Sequence, residues 1–143
     1  MTTITCHSIE RTYSNEGVHR QQALDYTLTG LIRAHDRVRY DEGSDIPEFH
    51  LSVKASGFTL MSGNICEAQD FEGILAEYAA RTASAKVAYV TVDMIAYVMT
   101  ISQFCDFCRK FCRLERESKK NGGRYKVRMK KENMEVLSWL ANN

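Results

Sequence analysis

Ser44-Asp45-Ile46-Pro47-Glu48-Phe49-His50-Leu51-Ser52-Val53-Lys54-Ala55-Ser56 is the stretch on which the fold turns. Phe49, Leu51 and Val53 alternate with His50, Ser52 and Lys54, the period-two pattern of a half-buried strand. Residues two apart on a strand share a face, so Ser52 and Lys54 stand together, and a regular strand adds Glu48 and His50. Asp45 lies just ahead of the strand, after the turn-forming Asp41-Glu42-Gly43-Ser44.

Upstream, Val18, Ala23, Leu24, Leu28, Leu31 and Ile32 recur at helical spacing and predict a helix over 17–35, with Ser14 or Asn15 as its cap. Residues before it read as a strand or an arm. Val38 and Tyr40 then alternate with charged neighbours as a strand over 37–41. Downstream, Gly57 ends the central strand and residues 58–61 supply another. Phe71, Ile74, Leu75, Tyr78 and Ala79 form the inner stripe of a helix over 70–82. Strands follow at 87–92, apolar enough to be central, and at 95–101.

Ser102 is expected to cap a helix with Phe104, Phe107, Cys108, Phe111 and Leu114 inward and Arg109, Lys110, Arg113 and Arg116 outward. Asn121-Gly122-Gly123 breaks the chain before a strand over 125–131, whose Tyr125, Val127 and Met129 face away from Lys126, Arg128 and Lys130. A last helix over 132–141 buries Met134, Leu137 and either Trp139 or Leu140. The expected order is helix, three strands, helix, two strands, helix, strand, helix. That is one mixed α/β (α+β) domain over residues 1–143 with a mixed sheet, without repeat or linker.

With 44 % hydrophobic residues in a 143-residue chain, one sizeable core needs no staples. One proline and eight glycines exclude fibrous or disordered classes. No segment has the apolar length to cross a bilayer, and Met1-Thr2-Thr3-Ile4-Thr5-Cys6-His7 lacks a secretory pattern, so the expected setting is cytoplasmic, without a membrane partner. The odd count of five cysteines fits reduced thiols. Cys105, Cys108 and Cys112 recur on a helix face among phenylalanines, which favours packing; the alternative is a metal site with Cys66 or a histidine as fourth ligand.

A net charge of +1 hides a strong asymmetry. Residues 109–131 hold eleven lysines and arginines against Glu115 and Glu117, a segment charge of +9 that leaves −8 elsewhere. Such segregation points to a polyanion. The expected contacts are Arg113, Arg116, Lys119, Lys120, Arg124, Lys126, Arg128 and Lys130, which supply affinity and salt dependence without reading sequence.

Cleaving a phosphodiester takes a divalent ion held by carboxylates and a cation that positions or activates water. Asp45 followed by same-face residues on a strand has that outline. Here the chain resembles the PD-(D/E)XK nuclease superfamily, and in particular its mismatch-repair nicking-endonuclease (MutH-like) branch. That branch carries an aspartate, six residues, a glutamate, any residue and a lysine, often with Pro-Glu after the aspartate. Asp45, Pro47-Glu48 and Lys54 match, and the order of elements over roughly residues 15–112 matches the superfamily core.

The resemblance implies a restriction-endonuclease-like core, Mg2+ or Mn2+ as cofactor, Asp45 as metal ligand and Lys54 as the phosphate- or water-contacting cation. Ser52 stands where the family has its glutamate, a poor replacement in a magnesium site. Glu48 is the candidate second metal ligand, and Gln21 or Gln22 the candidate contribution of the first helix. Two readings stay open: a metal-dependent endonuclease, working alone or as a homodimer, and an inactive DNA-binding or interaction module of a mobile-element or phage-defence system.

Overall fold

The computed structural model describes residues 1–11, 14–33, 44–55, 70–123 and 125–143. The strands expected at 37–41 and 58–61, and Arg124, lie outside the described residues.

Helix α1 (Glu16–Thr29) begins where the Asn15 side chain accepts the Val18 N–H at 3.1 Å. It ends at Gly30, whose φ of +74° lets its N–H reach Tyr26 O at 2.8 Å. The expected run to residue 35 is therefore too long. Leu31 and Ile32 fall beyond the cap and are 52 % and 48 % exposed.

Pro47–Phe49 form a single 3-10 turn, and His50 takes a left-handed φ of 52° before the chain extends into β2 (Leu51–Ala55). The strand thus starts later than its alternation suggests. Glu48 and His50 do not continue it, and the shared face reduces to Ser52 and Lys54.

The chain then forms α2 (Phe71–Arg81), capped by Asp70, and strands β3 (Lys86–Val90) and β4 (Ile95–Thr100). With β1 (Thr2–Thr5) they build a four-stranded mixed sheet in the order β1-β4-β3-β2. β2 runs parallel to β3, while β3–β4 and β1–β4 are antiparallel. β3 is flanked on both sides, which matches its nearly continuous apolar sequence.

The two sheet faces are covered differently. On one, Leu51, Val53, Ala88, Val90 and Ala96 cluster with Ala23 and Leu24 of α1. On the other, Val87, Tyr89 and Met99 cluster with Ile74, Leu75 and Tyr78 of α2 and with Phe104, Phe107 and Cys108 of α3 (Ile101–Phe111). The final helix α4 (Met134–Asn142) adds Val136 and Leu140 to that second core. Phe107 is its aromatic hub, 5.1 Å from Tyr89, 5.3 Å from Phe111 and 5.7 Å from Trp139 between ring centres. Met134, expected to be buried, is 79 % exposed because it opens the helix on its solvent side.

Two boundaries around α3 differ from expectation. Thr100, not Ser102, is the cap, because Thr100 accepts the Gln103 N–H and Gln103 returns the bond to the Thr100 N–H. The helix also stops at Phe111. Residues Arg113–Arg116 form β5, which pairs antiparallel with β6 (Tyr125–Arg128) as a separate two-stranded sheet. Leu114 still points into the core, but from a strand. The described order is β1-α1-β2-α2-β3-β4-α3-β5-β6-α4, a mixed α+β architecture, and no described helix is long and apolar enough to cross a membrane.

Candidate functional site

The parallel register sets Ser52 beside Val87 and Lys54 beside Tyr89, so both point toward α2 and α3. Asp45 arrives from the segment that folds back on β2 through the Ile46–Leu51 bridge. It is 8 % exposed, and its Oδ2 accepts the Val53 N–H at 2.7 Å. Its negative charge acts on the Lys54 ammonium, which burial pushes below the usual lysine range while Asp45 and the Cys108 thiol pull it back up. Asp45 thus lies close enough to Lys54 for its charge to act on it, with no direct ion pair between them among the described residues.

Ser52 is committed elsewhere. Its hydroxyl lies 2.7 Å from that of Ser84, which lies 2.8 Å from that of Ser44, a buried chain of three hydroxyls. The Tyr78 hydroxyl faces Ser52 and Thr82 without a well-aligned bond to either, and burial pushes it up to about 12. This network joins β2 to the loop before β3, which is a structural use of Ser52.

Glu48, Gln21 and Gln22 do not join Asp45 and Lys54. Glu48 is gripped by Arg33, whose Nη1 and Nη2 donate to its two oxygens at 2.9 and 2.6 Å. The same guanidinium grips the buried Asp25 of α1 at 2.9 and 2.6 Å. The Gln22 amide donates to Arg33 O, and Gln21 rides on α1, which packs against the opposite face of the sheet. Among the described residues no three of the His, Cys, Asp and Glu side chains gather into a metal-holding group. One buried aspartate with one oxygen already bonded does not fit a magnesium ion, which takes an octahedron of oxygens. Cys105 and Cys108 are buried free thiols; the Cys112 hydrogen bond and burial both keep Cys108 protonated. Cys66 lies outside the described residues.

The cationic segment adopts a different geometry from a helix leading into a strand. In the β5–β6 hairpin, Arg113 stands opposite Arg128 and Glu115 opposite Lys126. Alternation puts Arg113, Glu115, Lys126, Arg128 and Lys130 on the face turned away from Leu114 and Val127. Glu115 takes Arg113 at 3.0 Å and Lys130 at 3.4 Å; burial would raise its carboxyl, but these two cations hold it below the usual range. Glu117 faces Lys126 at 3.7 Å. Arg116 belongs to the other face, with its guanidinium 5.0 Å over the Tyr125 ring and a bond to Gly123 O. Lys119 and Lys120 sit exposed on the 3-10 turn at the hairpin end.

Where the end of α3 meets the hairpin there is a cavity of about 430 Å3. Its lining includes Lys110, Arg113, Arg128, Lys130 and Lys131, with apolar surface from Phe111 and Met129 and no carboxylate. The Arg128 Nε is buried there without a hydrogen-bond partner. Lys110 and Lys131 were not among the expected contacts, although both fall in the counted basic run. Only the turn after Phe111, which swings Arg113 back beside Arg128, gathers them into one place. Compared with protein-family models, curated proteins and solved structures, the chain finds no match in any of the three.

Proposed function

We propose that this protein binds duplex DNA through its phosphate backbone, seating phosphates in the groove between the end of α3 and the β5–β6 hairpin. The observation that carries this reading is the groove's lining, in which five cations converge without a carboxylate. Glu115 offsets part of the charge of Arg113 and Lys130, while Lys110, Arg128 and Lys131 have no ion-pair partner among the described residues. Donors arranged this way bind polyanions by releasing counterions and read shape rather than base identity. Duplex is favoured over single strands because the most exposed aromatic rings among the described residues, Tyr26 and Phe49, belong to α1 and the turn before β2. Single-strand binders stack bases on exposed rings, and Phe111 is instead packed on Phe107 and Trp139.

Fluorescence anisotropy over a salt series tests it. The logarithm of affinity should fall against the logarithm of salt with a slope of about −3 to −4, as four neutralised phosphates require. Replacing Lys110, Arg128 and Lys131 together by glutamine should flatten the slope by about 2 to 3, roughly one per lost contact. Salt-insensitive binding, or a triple variant equal to the parent, removes the proposal. Tighter binding of single-stranded RNA than of duplex DNA reassigns the ligand.

A second reading, a metal-dependent endonuclease of PD-(D/E)XK ancestry, has one observation in its favour: the charge of buried Asp45 acts on Lys54. The commitment of Glu48 to Arg33 weighs against it. Nicking of supercoiled plasmid in Mg2+ or Mn2+, abolished by both Asp45→Ala and Lys54→Ala in folded protein, would establish that reading. Intact plasmid with salt-sensitive binding leaves a non-catalytic module.

A further inference from the structure

In its N-terminal half, α1 carries a cation that the DNA-binding reading does not use. Arg20 is 7 % exposed, yet its Nη1 has no hydrogen-bond partner. A guanidinium stays charged at any physiological pH and cannot relieve burial by losing its proton. Glu16 acts on Arg20 through its charge, yet Nη1 still lacks an acceptor, which a buried donor normally has.

The side chain lines a cavity of about 450 Å3 between the β1–α1 connection, α1 and the β3–β4 turn. Ser8, His19 and Arg11 also line it, and the Nδ1 of His19 is buried without a partner. Ile9, Val92 and Met94 supply an apolar wall. Glu16, the carboxylate in the lining, is already engaged by Arg11 through two bonds of 2.6 and 3.1 Å. The turn that forms the wall is fixed from outside, with Glu132 accepting the Val92 N–H and the Met94 O accepting the Cys6 N–H.

We infer that this cavity is a binding site for a small organic phosphate, whose oxyanion is received by Arg20, His19 and Ser8 and whose apolar body lies against Val92 and Met94. A fixed guanidinium beside an imidazole and a hydroxyl provides donors for three oxygens, as a phosphate monoester offers and a carboxylate does not. The volume exceeds what a bare ion fills and lies in the range of small-ligand pockets, about 300 to 1,000 Å3.

Phenyl phosphate is the probe, with inorganic phosphate, benzoate and phenol as comparisons. Titration of 15N-labelled full-length protein should shift the Arg20 Nε–H resonance saturably and raise the melting temperature. Binding should weaken in the order phenyl phosphate, inorganic phosphate, benzoate, with no response to phenol. Arg20→Met should weaken phenyl phosphate by about tenfold or more, the worth of one lost charged hydrogen bond. Val92→Trp, at a position 55 % exposed, fills the cavity without touching the arginine and should abolish the shift even if the Arg20 variant folds poorly. Benzoate binding as tightly as phenyl phosphate overturns the phosphate assignment. A response that survives Val92→Trp but vanishes in Arg128→Gln places the anion in the hairpin groove; it overturns this inference and leaves the DNA-binding reading intact.

Discussion

Arg33 and Arg20 are both guanidiniums drawn out of water against α1, and the chain treats them in opposite ways. Arg33 spends its forks on two carboxylates, Asp25 and Glu48, with four bonds between 2.6 and 2.9 Å. Arg20 is more deeply buried and has no such partner. The first is a closed electrostatic unit that ties the end of α1 to the turn before β2. The second leaves its charge open toward a cavity. Burial of a cation is thus not by itself a mark of function; what marks it is burial without the counter-charge that the same helix supplies eight residues from Arg33.

The largest test of that contrast is Arg33→Ala. It takes from Asp25, whose side chain is 1 % exposed, the guanidinium that both its oxygens accept, leaving the Thr29 hydroxyl on Oδ1. Breaking one side of a buried pair typically costs 3–5 kcal/mol, and the partial exposure of Arg33 brings the expectation to about 2 to 3 kcal/mol in urea denaturation. Arg20→Met, which removes a buried cation whose Nη1 has no acceptor, should cost less ligand-free stability than Arg33→Ala. Equal losses in the two variants would erase the distinction.

Lys54 is an intermediate case, half-buried with Asp45 as its counter-charge. Its proton is held less tightly in the folded protein than in the unfolded chain, so between its lowered folded value and 10.5 the unfolded chain binds more protons. Stability from this group therefore rises with pH through that window, and the penalty of the charged form is fully present below it. Lys54→Met removes both the desolvation penalty of the ammonium and the counter-charge of buried Asp45, so the parent should gain stability relative to Lys54→Met as pH rises toward 10.5. A constant gap across the window would mean that the ammonium sits in water.

These contrasts also show how far the sequence could be read. Local signals with fixed spacing were legible. The helix expected over 70–82 is α2, one residue shorter at each end, and β3 is central as its apolar sequence suggests. Misplaced boundaries came where two periods agree. Leu114 lies at helical spacing from Phe111 and Phe107, yet reaches the same core from β5, so the hairpin was hidden. Leu31 and Ile32 continue the α1 spacing past Gly30, although the glycine is the stronger signal. The Thr100–Gln103 capping box was present in the sequence and outranks Ser102. What could not be read was pairing at a distance. Nothing local says that Glu48 answers to Arg33, fifteen positions earlier, or that Arg20 Nη1 is left without an acceptor. The candidate metal ligand was misjudged for that reason, and the cavity beside Arg20 was missed.

The smallest effect divides the Arg33 unit itself. Glu48 is 43 % exposed on its side chain, so water screens its pair with Arg33, and Asp25 remains to hold the guanidinium. Glu48→Gln should cost about 0.5 kcal/mol, the ordinary worth of a surface ion pair, well below the loss from Arg33→Ala. The same variant sharpens the reading of the Asp45 region. With Glu48 committed to Arg33, millimolar Mg2+ should shift the melting temperature of parent and variant equally. A magnesium stabilisation seen in the parent and lost in Glu48→Gln would instead mean that this carboxylate leaves Arg33 for an ion shared with Asp45, which would move the weight of argument from the hairpin groove back to the edge strand.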